Sequence, residues 1–246
     1  MNSIIVIPAR WASTRFPGKP LAPIAGRSLI QRVWERGISS RRAAQTWVAT
    51  DDQRILRHVE SFGGRVVMTP EAESGSDRIA AAIDSIEKSE KTSFDLVINL
   101  QGDEPLIDME SVDRAIAVLE EDVGVDIVTL AAPLQAAEEL DDPDIVKVVA
   151  DLAGNALYFS RSAIPHGGLD IALRHVGIYG YRASVLRAYA RLPRSPLEIA
   201  ERLEQLRALE NGYRIRLVRT EGFHQGVDRP GDIARIESEL ARLRLH

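Results

Sequence analysis

The chain has 246 residues, of which 45% are hydrophobic and 27% charged, with 17 Gly, 12 Pro and no Cys. This composition excludes a disordered or collagen-like polymer, a disulfide scaffold, a thiolate zinc site and a cysteine nucleophile, and the length allows one large domain or a domain with an appendage. The formal net charge of -5 and an aromatic content of 5% provide neither a global basic field for nucleic acid nor a base-stacking platform, so any polyanionic ligand must be met by local cations or a metal ion.

The chain opens MNSIIVIPARWAS, where an apolar run is closed by Pro8 and Arg10, too short for a signal-peptide core. No later stretch approaches the ~18 apolar residues of a membrane span, which gives a cytoplasmic protein with no membrane partner as the expectation. Ile4 to Ile7 reads as a buried strand, and Ser28 to Arg36 as a helix stopped by Gly37. Thr46 to Thr50 is the second strand; Ile55, Leu56, Val59 and Phe62 then share one helical face, with Gly63 and Gly64 ending the helix. Arg65 to Met68 is the third strand, and Asp77 to Lys88 is a helix carrying Ile79, Ile83 and Ile86. Leu96 to Leu100 is a strand that runs directly into Gln101-Gly102-Asp103-Glu104-Pro105. This βαβαβ rhythm predicts an α/β fold with a doubly wound, largely parallel sheet.

The second half is less regular. A helix near Ser111 to Glu121 precedes closely spaced strands at Ile127 to Ala131, Val146 to Val149, Ala156 to Ser160 and His175 to Tyr181, a spacing that suggests hairpins attached to the parallel sheet. Helices are expected at Leu197 to Glu210 and at Asp232 to Leu243. With no repeat, low-complexity run or obvious linker, residues 1–246 read as a single α/β domain carrying a sheet-rich lobe at about 150–195.

The loop PARWASTRFPGKP leaves the carboxyl end of the first strand, where open α/β sheets bind ligands. It gathers Arg10, Arg15 and Lys19, two forked guanidiniums and a compact ammonium, a set suited to a triphosphate. Neither G-x-x-x-x-G-K-[ST] nor G-x-G-x-x-G occurs, so a Walker ATPase and a dinucleotide site are unsupported, and a solvated basic loop is the plain alternative. Asp103 follows an apolar strand directly and could hold Mg²⁺, which takes one or two protein carboxylates and completes its shell with water and phosphate oxygens. Gly-Asp near Pro is also ordinary turn chemistry. Asp228, in HQGVDRPGD, is the natural partner carboxylate, with helix capping as its plain alternative.

Taken in order, IPAR-x-x-STR-x-PGKPL, VATDD, SGSDR, NLQGDEPLI, VKVV, ALYFSR-x-x-IP, RHVGIYGYR, LEQLRALENG and GVD-x-P cover nearly the whole chain. Together they resemble the 3-deoxy-D-manno-octulosonate (Kdo) cytidylyltransferases, the CMP-Kdo synthetase family. The resemblance implies Mg²⁺-dependent transfer of CMP from CTP to the anomeric hydroxyl of an eight-carbon acid sugar, with release of pyrophosphate, for lipopolysaccharide or capsule synthesis. It also implies a cytoplasmic homodimer with a Rossmann-like nucleotidyltransferase fold and a small lobe that helps make the dimer. By motif, Pro8, Ala9, Arg10, Arg15 and Lys19 match the triphosphate loop, and Asp103 and Asp228 the metal-binding carboxylates. Ser74, Gly75, Arg78 and Gln101 match positions around the nucleotide. Arg161, Arg174, His175, Tyr179, Glu204 and Gln205 match the acid-sugar side. Ser76 stands where relatives usually carry Thr.

Attack of a hydroxyl on an α-phosphate needs alignment and charge neutralisation rather than covalent chemistry, which is why cations and carboxylates dominate this inventory. Arg10 and Lys19 are assigned to the departing pyrophosphate, Arg161 and Arg174 to the acceptor carboxylate, and no dedicated general base stands out. One departure concerns the acceptor. Many relatives carry a longer Arg-bearing loop after the IP pair, whereas here Pro165 is followed only by HGGLDIAL before Arg174. This leaves 8-amino-Kdo or a small phosphonate acid as an alternative acceptor. A catalytically silent nucleotide-binding paralogue is the alternative from another class, disfavoured by retention of both Asp and all three loop cations.

Overall fold

The computed structural model describes residues 1–12, 16–72, 74–168, 171–221 and 226–243. The chain forms two compact units, residues 1–110 with 223–246, and residues 111–222. The sequence reading takes a single domain with a lobe at about 150–195; those residues lie inside the second unit.

In the first unit, β1 (Ser3–Ala9) leads through a short hairpin, β2 (Pro23–Ile24) and β3 (Arg27–Ser28), into α1 (Leu29–Gly37). There follow β4 (Gln45–Thr50), α2 (Gln53–Ser61), β5 (Val66–Met68), α3 (Gly75–Glu90) and β6 (Leu96–Asn99). Local chemistry sets these boundaries. Ser28 caps α1 through the Gln31 amide, Asp52 caps α2, and Ser74 with Asp77 forms a reciprocal capping box on α3. Gly37 is the last residue of α1, and a Cβ there would lie 2.6 Å from the Thr46 side chain.

The strands run in the order β6-β1-β4-β5, all parallel, so the order reverses between β1 and β6. Loops leaving the carboxyl ends of those two strands flank the reversal, the place where open α/β sheets accept ligands. Ile4, Ile5, Val6 and Ile7 of β1 and Leu96, Val97 and Ile98 of β6 are inaccessible to solvent, the continuous apolar pattern of strands covered on both faces.

The second unit opens with α4 (Met109–Glu121) and β7 (Ile127–Pro133), then α5 (Glu138–Asp141), β8 (Lys147–Ala150), β9 (Ala156–Ser160) and β10 (Leu173–Arg182). It closes with α6 (Ala183–Tyr189), α7 (Pro196–Glu201), α8 (Gln205–Glu210) and β11 (Ile215–Arg219). β8 and β9 form the expected hairpin, β10 runs antiparallel to both β7 and β8, and β11 runs parallel to β7. The chain then returns to the first unit as α9 (Asp232–Leu243).

Two expectations need correction. The single helix expected over Leu197 to Glu210 is two, because Arg202 adopts a left-handed conformation (φ 57°) and breaks the hydrogen-bonded ladder. The strand β11, which the sequence reading omits, alternates Ile215 and Leu217 inward with Arg216 facing outward.

Candidate active site

The loop after β1 returns on itself before reaching Lys19. Gly18 donates its amide to the Trp11 carbonyl at 3.2 Å and has φ 71°, and its Cα lies against the indole, so a side chain there would be strained on two counts. The Arg54 guanidinium lies over the Trp11 ring, 3.4 Å from its centroid, and Arg54 is itself paired with Asp52. The turn delivers Lys19 with its side chain only 16% exposed.

After β6 the chain approaches the end of β1 so closely that a Cβ on Gly102 would lie 2.7 Å from the Pro8 carbonyl oxygen. The next residue is Asp103, whose Oδ2 accepts from Lys19 Nζ at 2.7 Å. The segment before α9 is tied to the same loop, with the Val227 amide donating to the Asp103 carbonyl at 2.9 Å. Asp228 follows directly and presents Oδ1 3.7 Å from the same Nζ. Asp228 therefore faces Lys19, and Asp232 Oδ2 accepts from the amides of Asp228 and Arg229.

Two partly exposed carboxylates thus converge on one ammonium at the reversal of strand order, drawn from three segments far apart in sequence. Oxygen donors, one or two protein carboxylates and room for water are what Mg²⁺ requires, so the residues present fit that ion. Among the described residues no group of three or more acidic or histidine side chains offers an all-protein metal cage.

The other residues expected around the nucleotide divide. Pro8 and Ala9 end β1, and Arg10 follows them beside the loop. Gln101 lies at the β6 end, within 3.5 Å of Asn99 Oδ1, while Ser74 and Gly75 start α3, where Ser74 is occupied as the helix cap. Arg78 turns inward: its side chain is 0% exposed, paired with Asp51 and hydrogen-bonded to Thr69 Oγ1. It fastens α3 to Asp51 and Thr69 beyond the ends of β4 and β5. Arg15 lies outside the described residues.

On the expected acceptor side, Tyr179, Glu204 and Gln205 come together around a pocket also lined by Ile127, Tyr181 and Tyr189. Gln205 is buried, not a solvated helix residue as its position in a continuous helix would imply, and its Nε2 has no hydrogen-bond partner among the described residues. A buried amide donor left unpaired costs about 1–3 kcal/mol, and a water or a ligand oxygen in the pocket would supply its partner. Tyr181 and Tyr189 were not singled out from sequence; their signal was the aromatic spacing through RHVGIYGYR and the unassigned helix α6.

The remaining acceptor candidates are not among the residues lining that pocket. Arg161 Nε donates to the Glu201 carbonyl and Nη1 to the Pro143 carbonyl, at 3.1 and 2.9 Å. Lys147, entirely buried, donates to the carbonyls of Asp142, Ile145 and Arg161 and pins the same turn. Arg174 lies 3.9 Å from Glu139. The loop between Pro165 and Arg174 includes residues 169 and 170, which lie outside the described set.

His175 is half-buried, its Nε2 bonded to Thr129 Oγ1 at 2.9 Å and its ring edge-on to Phe159. Burial pushes the imidazole down to about 3, so it stays neutral near pH 7. In the unfolded chain it titrates near ~6.5, so unfolded molecules bind a proton that native ones refuse, and stability falls as pH drops from about 6.5 toward 3. Between pH 7.5 and 5 the urea stability of the wild type should fall by about 2 kcal/mol more than that of His175→Gln. Equal losses in the two proteins would show that His175 is not the group responsible.

A parallel α/β sheet with an ammonium and two carboxylates gathered at its reversal of strand order is a site suited to a phosphorylated ligand, and the comparisons identify the class as nucleotidyltransferase. The cytidylyltransferase family model matches residues 4–215. A 3-deoxy-manno-octulosonate cytidylyltransferase of Syntrophotalea carbinolica is 47% identical over 99% of this chain and 100% of its own. An 8-amino-3,8-dideoxy-manno-octulosonate cytidylyltransferase of Shewanella baltica strain OS155 is 48% identical over 98% of this chain and 99% of its own. A solved CMP:2-keto-3-deoxy-manno-octonic acid synthetase, complexed with CTP, superposes with a TM-score of 0.90 at 41% identity, over 99% of this chain and 100% of that one. The chain belongs to the CMP-Kdo synthetase family of cytidylyltransferases.

Proposed function

We propose that this enzyme transfers CMP from CTP to the anomeric hydroxyl of 3-deoxy-D-manno-octulosonate in a Mg²⁺-dependent reaction, for lipopolysaccharide or capsule synthesis in the cytoplasm. The observation that carries the reading is the convergence of Asp103 and Asp228 on Lys19 at the carboxyl edge of the first unit's sheet. The acceptor hydroxyl oxygen bonds to the α-phosphorus and sheds its proton, while the bond to the bridging oxygen breaks and pyrophosphate leaves.

Asp103 and Asp228 are the residues that would hold Mg²⁺. When bound, the ion neutralises phosphate oxygens and lowers the cost of charge built up in transfer. Lys19 and Arg10 supply positive charge to the departing pyrophosphate, where it matters most as the bond breaks. Tyr179, Glu204 and Gln205 are assigned to the hydroxyls of the acceptor, and the buried Gln205 amide gains its missing partner when a ligand oxygen is present. Assembly as a homodimer, through a lobe of the second unit, belongs to the same reading.

The relatives favour two acceptors about equally, and these differ at carbon 8 by a hydroxyl against an amino group. Pyrophosphate release at saturating CTP should therefore be measured with Kdo, 8-amino-Kdo and small phosphonate acids. The expected result is the highest kcat/KM with Kdo. A higher value with 8-amino-Kdo would reassign the acceptor while leaving cytidylyl transfer intact. CTP binding without release of pyrophosphate from CTP in the presence of any of these acids would identify a silent paralogue.

A further inference from the structure

We infer that Arg207 is a positioning residue for the acceptor pocket, acting through Glu204; this rests on the assignment of Glu204 to the acceptor. The left-handed residue at Arg202 separates α7 from α8, and the two helices pack against each other with Arg207 buried. Arg207 Nε lies 3.1 Å from Glu198 Oε2, and both side chains are only 6% exposed. Its Nη2 donates to Glu204 Oε1 at 3.1 Å, its Nη1 donates to the Leu192 carbonyl at 3.1 Å, and its guanidinium sits 4.6 Å from the Tyr189 ring centroid. Tyr189 closes the circuit by donating its hydroxyl to the Glu204 carbonyl at 2.7 Å. Arg207 therefore grips the side chain of one pocket residue and the ring of another.

Stability alone gives a poor reason for this arrangement. A buried ion pair loses so much hydration that well-packed apolar residues of the same size often do as well or better. An apolar side chain could not aim a carboxylate. The planar guanidinium directs Nη2 to Glu204 Oε1 while Nη1 is held by the Leu192 carbonyl and Nε faces the Glu198 carboxylate, and Glu198 is held in turn by the Ser195 amide at 3.1 Å. A Lys ammonium would keep the charge and lose the fork. Arg207 is thus expected to act on acceptor recognition, with little influence on CTP.

The test is steady-state kinetics with Kdo and CTP on Arg207→Lys, Arg207→Met, Glu204→Gln and the double variant Arg207→Met/Glu204→Gln, with folding checked by circular dichroism. The proposal predicts that Arg207→Met raises KM for the acceptor about tenfold, the loss of one charge-assisted hydrogen bond, while KM for CTP stays within about twofold. Arg207→Lys should restore part of the loss, and adding Arg207→Met to Glu204→Gln should change the acceptor KM little further, because both act on one interaction. Should Arg207→Met fail to fold, Arg207→Lys carries the same expectation, with an acceptor-specific rise in KM of a few-fold. Acceptor KM unchanged in a folded Arg207 variant, beside a raised value in Glu204→Gln, would overturn the proposal. Acceptor KM unchanged in Glu204→Gln itself would overturn the assignment of Glu204 and the proposal with it.

Discussion

An Asp103→Asn variant is expected to fold like the wild type and to lose about 10²–10³-fold in kcat. The substitution preserves volume and removes one of two carboxylates that meet at Lys19, so it removes charge from the site without opening a cavity. The pair that it breaks is partly exposed, with side chains 16% and 31% accessible, and such pairs contribute about 1 kcal/mol or less to stability. A large kinetic loss beside a small shift in urea midpoint is therefore the signature of a functional carboxylate. Asp228 is more exposed, at 54%, and Asp228→Asn should show the same separation with even less effect on folding. Raising Mg²⁺ should recover part of the activity of either variant if the second carboxylate still binds the ion. Equal losses of activity and stability would instead assign Asp103 to the turn after β6.

Lys19→Ala is the second large effect. If the ammonium stabilises the departing pyrophosphate, kcat should fall by about 10²-fold or more while KM for CTP changes much less. A variant that raised only KM for CTP would assign Lys19 to uniform binding of the nucleotide. The variant should not gain stability, because the two carboxylates that Lys19 neutralises are left facing one another. Gly18 gives an independent check on the same loop: Gly18→Ala introduces a side chain against the Trp11 ring at a left-handed backbone position, so it should displace Lys19 and depress kcat without touching any charged group.

The parts of this site legible in the sequence are those coded by short-range pattern. An apolar run ending in Gly-Asp places Asp103 at a strand terminus, and a cation-bearing loop after the first strand places Lys19 at another. Their meeting was not legible, because the neighbours of β1 are settled by the order of strands and not by spacing along the chain. Asp228 shows the limit most clearly: 125 residues beyond Asp103, it is brought back by an amide of Val227 bonding to the Asp103 carbonyl, a contact that no local pattern encodes.

Where the sequence reading and the structure differ, the reason is burial. Arg78 lies in a motif that reads as ligand-facing, yet its charge is spent on Asp51. His175 matches the acid-sugar side by motif, yet the strand turns its Nε2 onto Thr129 Oγ1. Leu203, Leu206 and Leu209 suggest one amphipathic helix with Glu204 and Gln205 on its wet face. The left-handed residue at Arg202 starts a new helix and rotates Gln205 inward, and one residue's backbone conformation thereby changes which side chains line the pocket.

Phosphorus NMR of the reaction products tests the central claim most directly. With CTP, Kdo and Mg²⁺ the account predicts loss of the triphosphate signals and growth, in equal amounts, of one phosphodiester resonance from the CMP ester and of pyrophosphate, with neither appearing when the metal is chelated or when Asp103 is replaced by Asn. Inorganic phosphate in place of pyrophosphate, or full turnover in the presence of chelator, would contradict it.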